Sequence, residues 1–155
     1  MSSKPLTKTI KVLASVILLL AFLGFLDATY LTVEHFANVI PPCTTTGGCE
    51  KVLTSQFAIV FGVPIALVGA VYYFLVLAFF ISFFDTGKFF LVSKIWRFTA
   101  VGFASSVWFL YLQFFIVKAI CPYCMASAVI STAIFVLSIV FDKMISNAKV
   151  KEFVA

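Results

Sequence analysis

Four apolar stretches, each about as long as a bilayer core is thick, dominate this 155-residue chain. They run at about Val12–Val33, Ile59–Phe83, Ile95–Val117 and Pro122–Phe141, near the roughly 20 residues that a helix needs to cross a ~30 Å hydrocarbon core. Lipid offers no partner for backbone N–H and C=O groups, so a spanning segment must be a helix or a strand of a closed barrel. A barrel strand shows alternating polarity over about ten residues, and no such segment is present. Hydrophobic residues make up 63% of the chain and charged residues 11%, against about 45–50% and about 25% in a soluble domain. The expected fold class is therefore all-α: an integral membrane four-helix bundle, with residues 1–155 forming one domain. Lysines precede Ile10–Leu23, as in a signal sequence. That run stays apolar to Val33 with no small-residue cleavage site, so it reads as a retained first helix.

Lys and Arg set the expected orientation. Lys4, Lys8 and Lys11 precede the first span, Lys88, Lys94 and Arg97 lie around the connection between the second and third, and Lys143, Lys149 and Lys151 follow the fourth. Only Lys51 and Lys118 fall on the other side. The positive-inside rule then predicts a multi-pass cell-membrane protein with both termini cytoplasmic. The outer segments are a loop over residues 34–56 and the short turn Lys118–Cys121. The net charge of +5 does not point to nucleic acid, because the basic residues flank spans rather than forming a patch interleaved with exposed aromatics.

All four cysteines of the chain fall on the expected outer, oxidising side, where disulfides persist. Cys121-Pro122-Tyr123-Cys124 forms a C-x-x-C at the head of the fourth span. Pro suits the first helical position, which makes Cys121 the expected N-cap and puts Cys124 one turn inside. Free amides and the helix dipole at such a terminus stabilise a thiolate, the attacking species in disulfide exchange. Lys118 could add positive potential; its plainer role is an interfacial anchor. Cys43 and Cys49 bracket a loop in which Gly47 and Gly48 give the chain freedom to reverse. A mobile loop can carry a disulfide between two partners. The alternatives are a structural staple and a four-thiolate zinc site. An oxidising face and apolar surroundings disfavour the latter.

Val52, Leu53 and Phe57 fall on one face of Glu50–Phe57, the pattern of a short interfacial half-helix over the mouth of the bundle. Gly62-Val63-Pro64 is read as opening the second span, with Pro64 in its first turns. Asp27, inside the first span, is a candidate for proton handling, because an intramembrane carboxylate is functional by default; a helix-packing hydrogen bond is the equal alternative. Glu34 and His35 read as solvated anchors. Phe57, Phe61, Tyr111, Phe114 and Phe115 lie at a depth suited to a ring pocket, in a chain where twenty Phe make any one of them uninformative.

Together these residues resemble the vitamin K epoxide reductase (VKOR) family in its short prokaryotic form. The carrying pattern is Tyr30-Leu31-Thr32, the loop cysteine pair, Cys49-Glu50-Lys51-Val52-Leu53-Thr54-Ser55, Phe61-Gly62-Val63-Pro64 and Cys121-Pro122-Tyr123-Cys124. It covers roughly Phe25 to Val129.

The resemblance implies a bundle around a quinone of menaquinone, ubiquinone or phylloquinone type. It puts Cys124 against the quinone, Cys121 in exchange with Cys49, and Cys43 facing a thioredoxin-fold (DsbA-like) electron donor. Ser55 matches the family's Ser or Thr near the site. Vertebrate members carry a Tyr where this chain has Ala128 and an Asn where it has Ala58, departures that favour simple quinone reduction over epoxide reduction. Other members carry a fused thioredoxin-like domain; this chain ends at Ala155, so the expected donor is a separate protein. Two rival readings are a DsbB-type oxidase, whose C-x-x-C lies in the first outer loop, and a non-enzymatic tetraspan scaffold with structural disulfides.

Overall fold

The computed structural model describes residues 8–39, 48–60, 62–86 and 95–154. Four long helices carry the fold: α1 (Lys8–Ala37), α3 (Ile65–Thr86), α4 (Ile95–Tyr111) and α5 (Pro122–Val154). A short helix α2 (Gly48–Leu53) and a two-stranded hairpin, β1 (Ile59–Val60) against β2 (Val63–Pro64), stand between α1 and α3. All four long helices contain segments long and apolar enough to cross a membrane, and the molecule is an all-α membrane bundle.

The bundle closes along a narrow seam. On α1 the buried positions are Ile10, Ala14, Ile17, Ala21, Gly24, Ala28, Leu31 and Thr32, a largely three- and four-residue spacing that keeps one face inward. Most are small, and small residues let transmembrane backbones approach closely. A Cβ on Gly24 would overlap the Tyr73 ring, and one on Gly102 would overlap the Tyr72 ring. On α3 the same spacing buries Tyr73, Val76, Phe80 and Phe83, which meet Ile134, Phe141 and Ile145 of α5. Phe141 packs edge-on against Phe80 and Phe83 at centroid distances of 5.5 and 5.4 Å. α1 packs on α3 and α5, and α4 packs on α5. The outward faces keep large apolar side chains such as Leu19, Phe74, Val101 and Trp108 exposed, as a lipid-facing surface requires.

Three boundaries differ from the sequence expectation. The second span begins at Ile65, not Ile59: Ile59 pairs with Pro64 and Val60 with Val63. Gly62 takes a φ of 80° to turn the hairpin, a conformation that suits glycine, and Pro64 ends the second strand rather than opening the helix. The half-helix is shorter than expected and begins earlier, at Gly48. The last helix runs on to Val154, well past Phe141. At the other end, α1 stops in a Schellman-type cap: Asn38 adopts a φ of 52°, Val39 N–H donates to Glu34 O, and Asn38 N–H donates to His35 O.

Candidate functional site

The C-terminal ends of α1 and α4, the N-terminal ends of α3 and α5, the hairpin and α2 all lie at one end of the bundle. The chemistry-bearing residues collect there. α4 gives way to a π-helical turn, Leu112–Val117, which ends where Lys118 takes a left-handed φ of 51°. Such π segments often mark functional sites. This one turns Gln113 inward, where it is 4% exposed. Its main-chain carbonyl accepts from Lys118 and Ala119 N–H, and its side-chain Oε1 accepts from Cys121 N–H at 3.1 Å. Gln113 thus holds the turn that presents the C-x-x-C.

Cys121 is the N-cap of α5, as the Pro122 argument predicts. Its carbonyl accepts from Met125 N–H at 3.0 Å, and its Sγ accepts from Cys124 N–H at 3.5 Å. Tyr123 anchors the turn to α1 through its ring, 5.5 Å from that of Tyr30. Cys121 and Cys124 are free thiols. The hydrogen bond from the Cys124 thiol, helped by the Cys124 and Tyr123 amides and opposed by burial, lowers the Cys121 pKa from 9.0 to about 7. Lys118 is not among the groups that lower it.

Cys49 is wholly buried and held in a disulfide. Its Sγ lies 3.7 Å from Cys121 Sγ. A disulfide sulfur carries no proton, so the Cys121 thiol or thiolate is the group facing it. Gly48 makes this approach possible: a Cβ there would run into the backbone carbonyl of Ile120, beside Cys121. α2 therefore docks on the C-x-x-C turn through a backbone-to-backbone contact. Thr54 and Ser55 hydroxyls close α2 by donating to Glu50 O and Val52 O at 2.6 and 2.7 Å. The chain then passes through Ala58, whose carbonyl accepts from Ile65 N–H at 2.9 Å.

Beneath Cys124 lies a cavity of about 260 Å³ between the four long helices, with α2 and its following turn as its lid. Asp27, Ser55, Phe57 and Ala128 from the sequence reading line it together with Cys124. Tyr111 and Phe114 do not line it; each is 48% exposed on the outer surface, and Tyr111 stacks on Trp108 and Phe115 there. Cys43 and Phe61 lie outside the described residues. Sequence reasoning missed Gln113, Tyr72, Tyr73, Ser127 and Ser131, all on the cavity wall. A signal was present for the serines: Cys124, Ser127, Ala128 and Ser131 follow the three-four-seven spacing of a single helix face.

Tyr73 Oη donates to Ser127 O at 2.8 Å. Tyr72 and Ser131 interact through their hydroxyls on the same wall, and Asp27 Oδ2 is buried there without a hydrogen-bond partner. Buried polar atoms are normally satisfied, so the orphaned Asp27 oxygen on the cavity wall points to a ligand with polar atoms.

Comparison with known proteins agrees with this arrangement. The chain is 34% identical over 122 residues to the thiol-disulfide oxidoreductase LTO1 of Arabidopsis thaliana, a match that takes in 74% of this chain and 32% of that protein. The chain thus spans about a third of that relative's length. Residues 15–139 match the model of the vitamin K epoxide reductase family. With four membrane-length helices, a free C-x-x-C at the head of the last and a second cysteine docked against it, the chain belongs to the vitamin K epoxide reductase family.

Proposed function

We propose that the protein is a membrane thiol oxidoreductase that passes two electrons from a dithiol donor, through Cys43 and Cys49, to Cys121 and Cys124 and on to a quinone. The observation that carries this reading is the 3.7 Å approach of the Cys49 and Cys121 sulfurs, with Cys124 on the wall of the cavity. The donor is a thioredoxin-fold (DsbA-like) protein on the outer face, and the outcome is disulfide formation in exported proteins. The activity in the name of the Arabidopsis relative supports the chemistry, and the Lys and Arg distribution supports an outward-facing site.

The cavity residues fit a quinone. The apolar wall suits a ring, and the Tyr72 and Ser131 hydroxyls on it are donors of the kind that carbonyl oxygens accept. When bound, a quinone supplies the two-electron sink and leaves as quinol. The chain's own part is exchange. With the loop reduced, the Cys49 thiolate attacks Cys121 Sγ, breaks the Cys121–Cys124 bond and releases Cys124 at the cavity wall. Cys43 then attacks Cys49 and closes the loop disulfide. Cys121 leaves as a thiolate, which its low pKa makes a good leaving group. The product has Cys49 in a disulfide and two free C-x-x-C thiols, and an arrangement of that kind supports this order. Closure of the Cys121–Cys124 disulfide then delivers both electrons. A scaffold whose disulfides brace its outer loops would keep them through mild reduction and show no quinone-dependent reoxidation, which separates it from this reading.

Asp27 faces the cavity and has an unpartnered oxygen, so it serves as a proton donor in the formation of quinol from quinone. Asp27→Asn lowers quinone reduction by about 10²-fold, the usual contribution of a general acid. In single turnover the C-x-x-C thiols then persist after the loop is oxidised; a variant that turns over at the parent rate excludes the role. The low Cys121 pKa sets a pH dependence. The reverse exchange, from Cys121 onto the loop disulfide, needs the Cys121 thiolate, so its rate rises with pH through a midpoint near 7. Cys124→Ala removes the strongest stabilising contact and moves that midpoint up towards 9.0, measurable as thiolate absorbance against pH. Thiol-dependent quinone reduction by the purified protein, compared with each single Cys→Ser variant, tests the whole reading.

A further inference from the structure

The C-x-x-C turn has a second support besides Gln113, and it comes from α1. Tyr30 and Glu34 stand one helical turn apart near the end of α1, so their side chains meet on one face. The Tyr30 hydroxyl interacts with the Glu34 carboxylate and with the Tyr123 hydroxyl, and the rings of Tyr30 and Tyr123 lie 5.5 Å apart. Glu34 Oε2 is buried, whereas a solvated anchor, the role read from its place in the sequence, would keep both oxygens in water.

Tyr123 is the residue through which this support reaches the reacting sulfur. Pro122 brings no N–H to the first turn of α5, so Tyr123 and Cys124 carry its first two amides. Both amides stabilise the Cys121 thiolate, and that of Cys124 donates to Cys121 Sγ at 3.5 Å. An amide moves with its own Cα, and the Tyr123 side chain ties that Cα to α1. The titratable side chains that act on Cys121 directly are Cys124 of α5 and Asp27 of α1; Cys49 of α2, which faces it, is in a disulfide. Glu34 is not among them, so its effect on Cys121 passes through the two tyrosines.

We propose that Glu34, Tyr30 and Tyr123 form a positioning chain for Cys121: Glu34 orients Tyr30, Tyr30 holds Tyr123, and Tyr123 keeps its amide on the Cys121 sulfur. A thiolate held in this way is a better leaving group and is present in larger fraction at neutral pH. The use of the chain in the relay rests on the exchange proposed above.

Tyr30→Phe and Glu34→Gln test this, alone and together, in a chain that also carries Cys43→Ser and Cys49→Ser. The first keeps the ring contact and loses the hydroxyl; the second keeps the size and loses the charge. The measurement is thiolate absorbance against pH, read as the transition that Cys121→Ser removes. Each variant is expected to raise the Cys121 midpoint by about one pH unit, the tenfold loss of thiolate that one weakened charge-assisted hydrogen bond produces. The double variant raises it no further, because the links act in series. The sign separates positioning from a bare charge effect, since loss of a carboxylate near a thiolate would lower the midpoint. A midpoint that falls or stays put in either variant overturns the inference, and a lowered melting temperature beside it would mean that these residues only brace the bundle. Rises that sum in the double variant overturn it too, by showing two independent contacts. The titration needs neither donor nor quinone, so failure of the parent protein to reduce a quinone would overturn the proposed function and not this chain of contacts.

Discussion

Cys124→Ser abolishes quinone reduction, by at least about a thousandfold, because the residue left on the cavity wall cannot donate electrons by closing a disulfide. Cys124 lines the cavity, whereas Cys121 sits under Gly48 and Cys49, so the two thiols are not interchangeable. In the variant the loop thiols still meet Cys121, and the Cys49–Cys121 contact is unaffected in geometry. The expected product after oxidation is therefore a stable Cys49–Cys121 link with no quinol formed. Spectrophotometric quinone reduction and non-reducing peptide mapping check the two halves separately. Quinol formation at the parent rate would remove Cys124 from its terminal position.

The second large effect comes from Gly48. A Cβ at this position collides with the Ile120 carbonyl, and that atom belongs to main chain held by the Gln113 turn. It cannot rotate away as a flexible side chain would. Gly48→Ala therefore lifts α2 and its buried Cys49 off the C-x-x-C turn. Reaction between two groups needs near-attack spacing, and misplacement by about 1 Å costs on the order of 10²-fold. The expected result is about a hundredfold slower exchange between Cys49 and Cys121, followed by quenched-flow alkylation. Exchange at the parent rate would show that α2 docks by another contact.

The spans are legible in the sequence because lipid demands long uninterrupted apolar runs, and the lysines that bound them are equally visible. The C-x-x-C turn is legible because Pro in second place encodes its own helix start, and the structure places Cys121 at the N-cap and Cys124 one turn inside. The start of the second span is not legible in the same way. Ile59–Pro64 is apolar enough to pass for helix, and only the positive φ of Gly62 and the pairing of Ile59 with Pro64 show that it turns back instead. The pocket is the least legible part. Which aromatic faces inward depends on the rotation of each helix, fixed by contacts such as Tyr73 on Gly24 and Tyr72 on Gly102. Those contacts put two tyrosines inside and leave Tyr111 and Phe114 facing out. Gln113 depends further on a π-helical turn, which no apolar periodicity announces.

The relay order rests on one junction, Cys49 to Cys121, and pairwise cysteine trapping tests it most directly. Two variants are oxidised under identical conditions and mapped by mass spectrometry, one retaining only Cys49 and Cys121 and the other only Cys49 and Cys124. The 3.7 Å sulfur separation predicts rapid, near-complete Cys49–Cys121 disulfide formation in the first and none in the second. A link between Cys49 and Cys124 that forms as fast, or the absence of a Cys49–Cys121 link, would contradict the account.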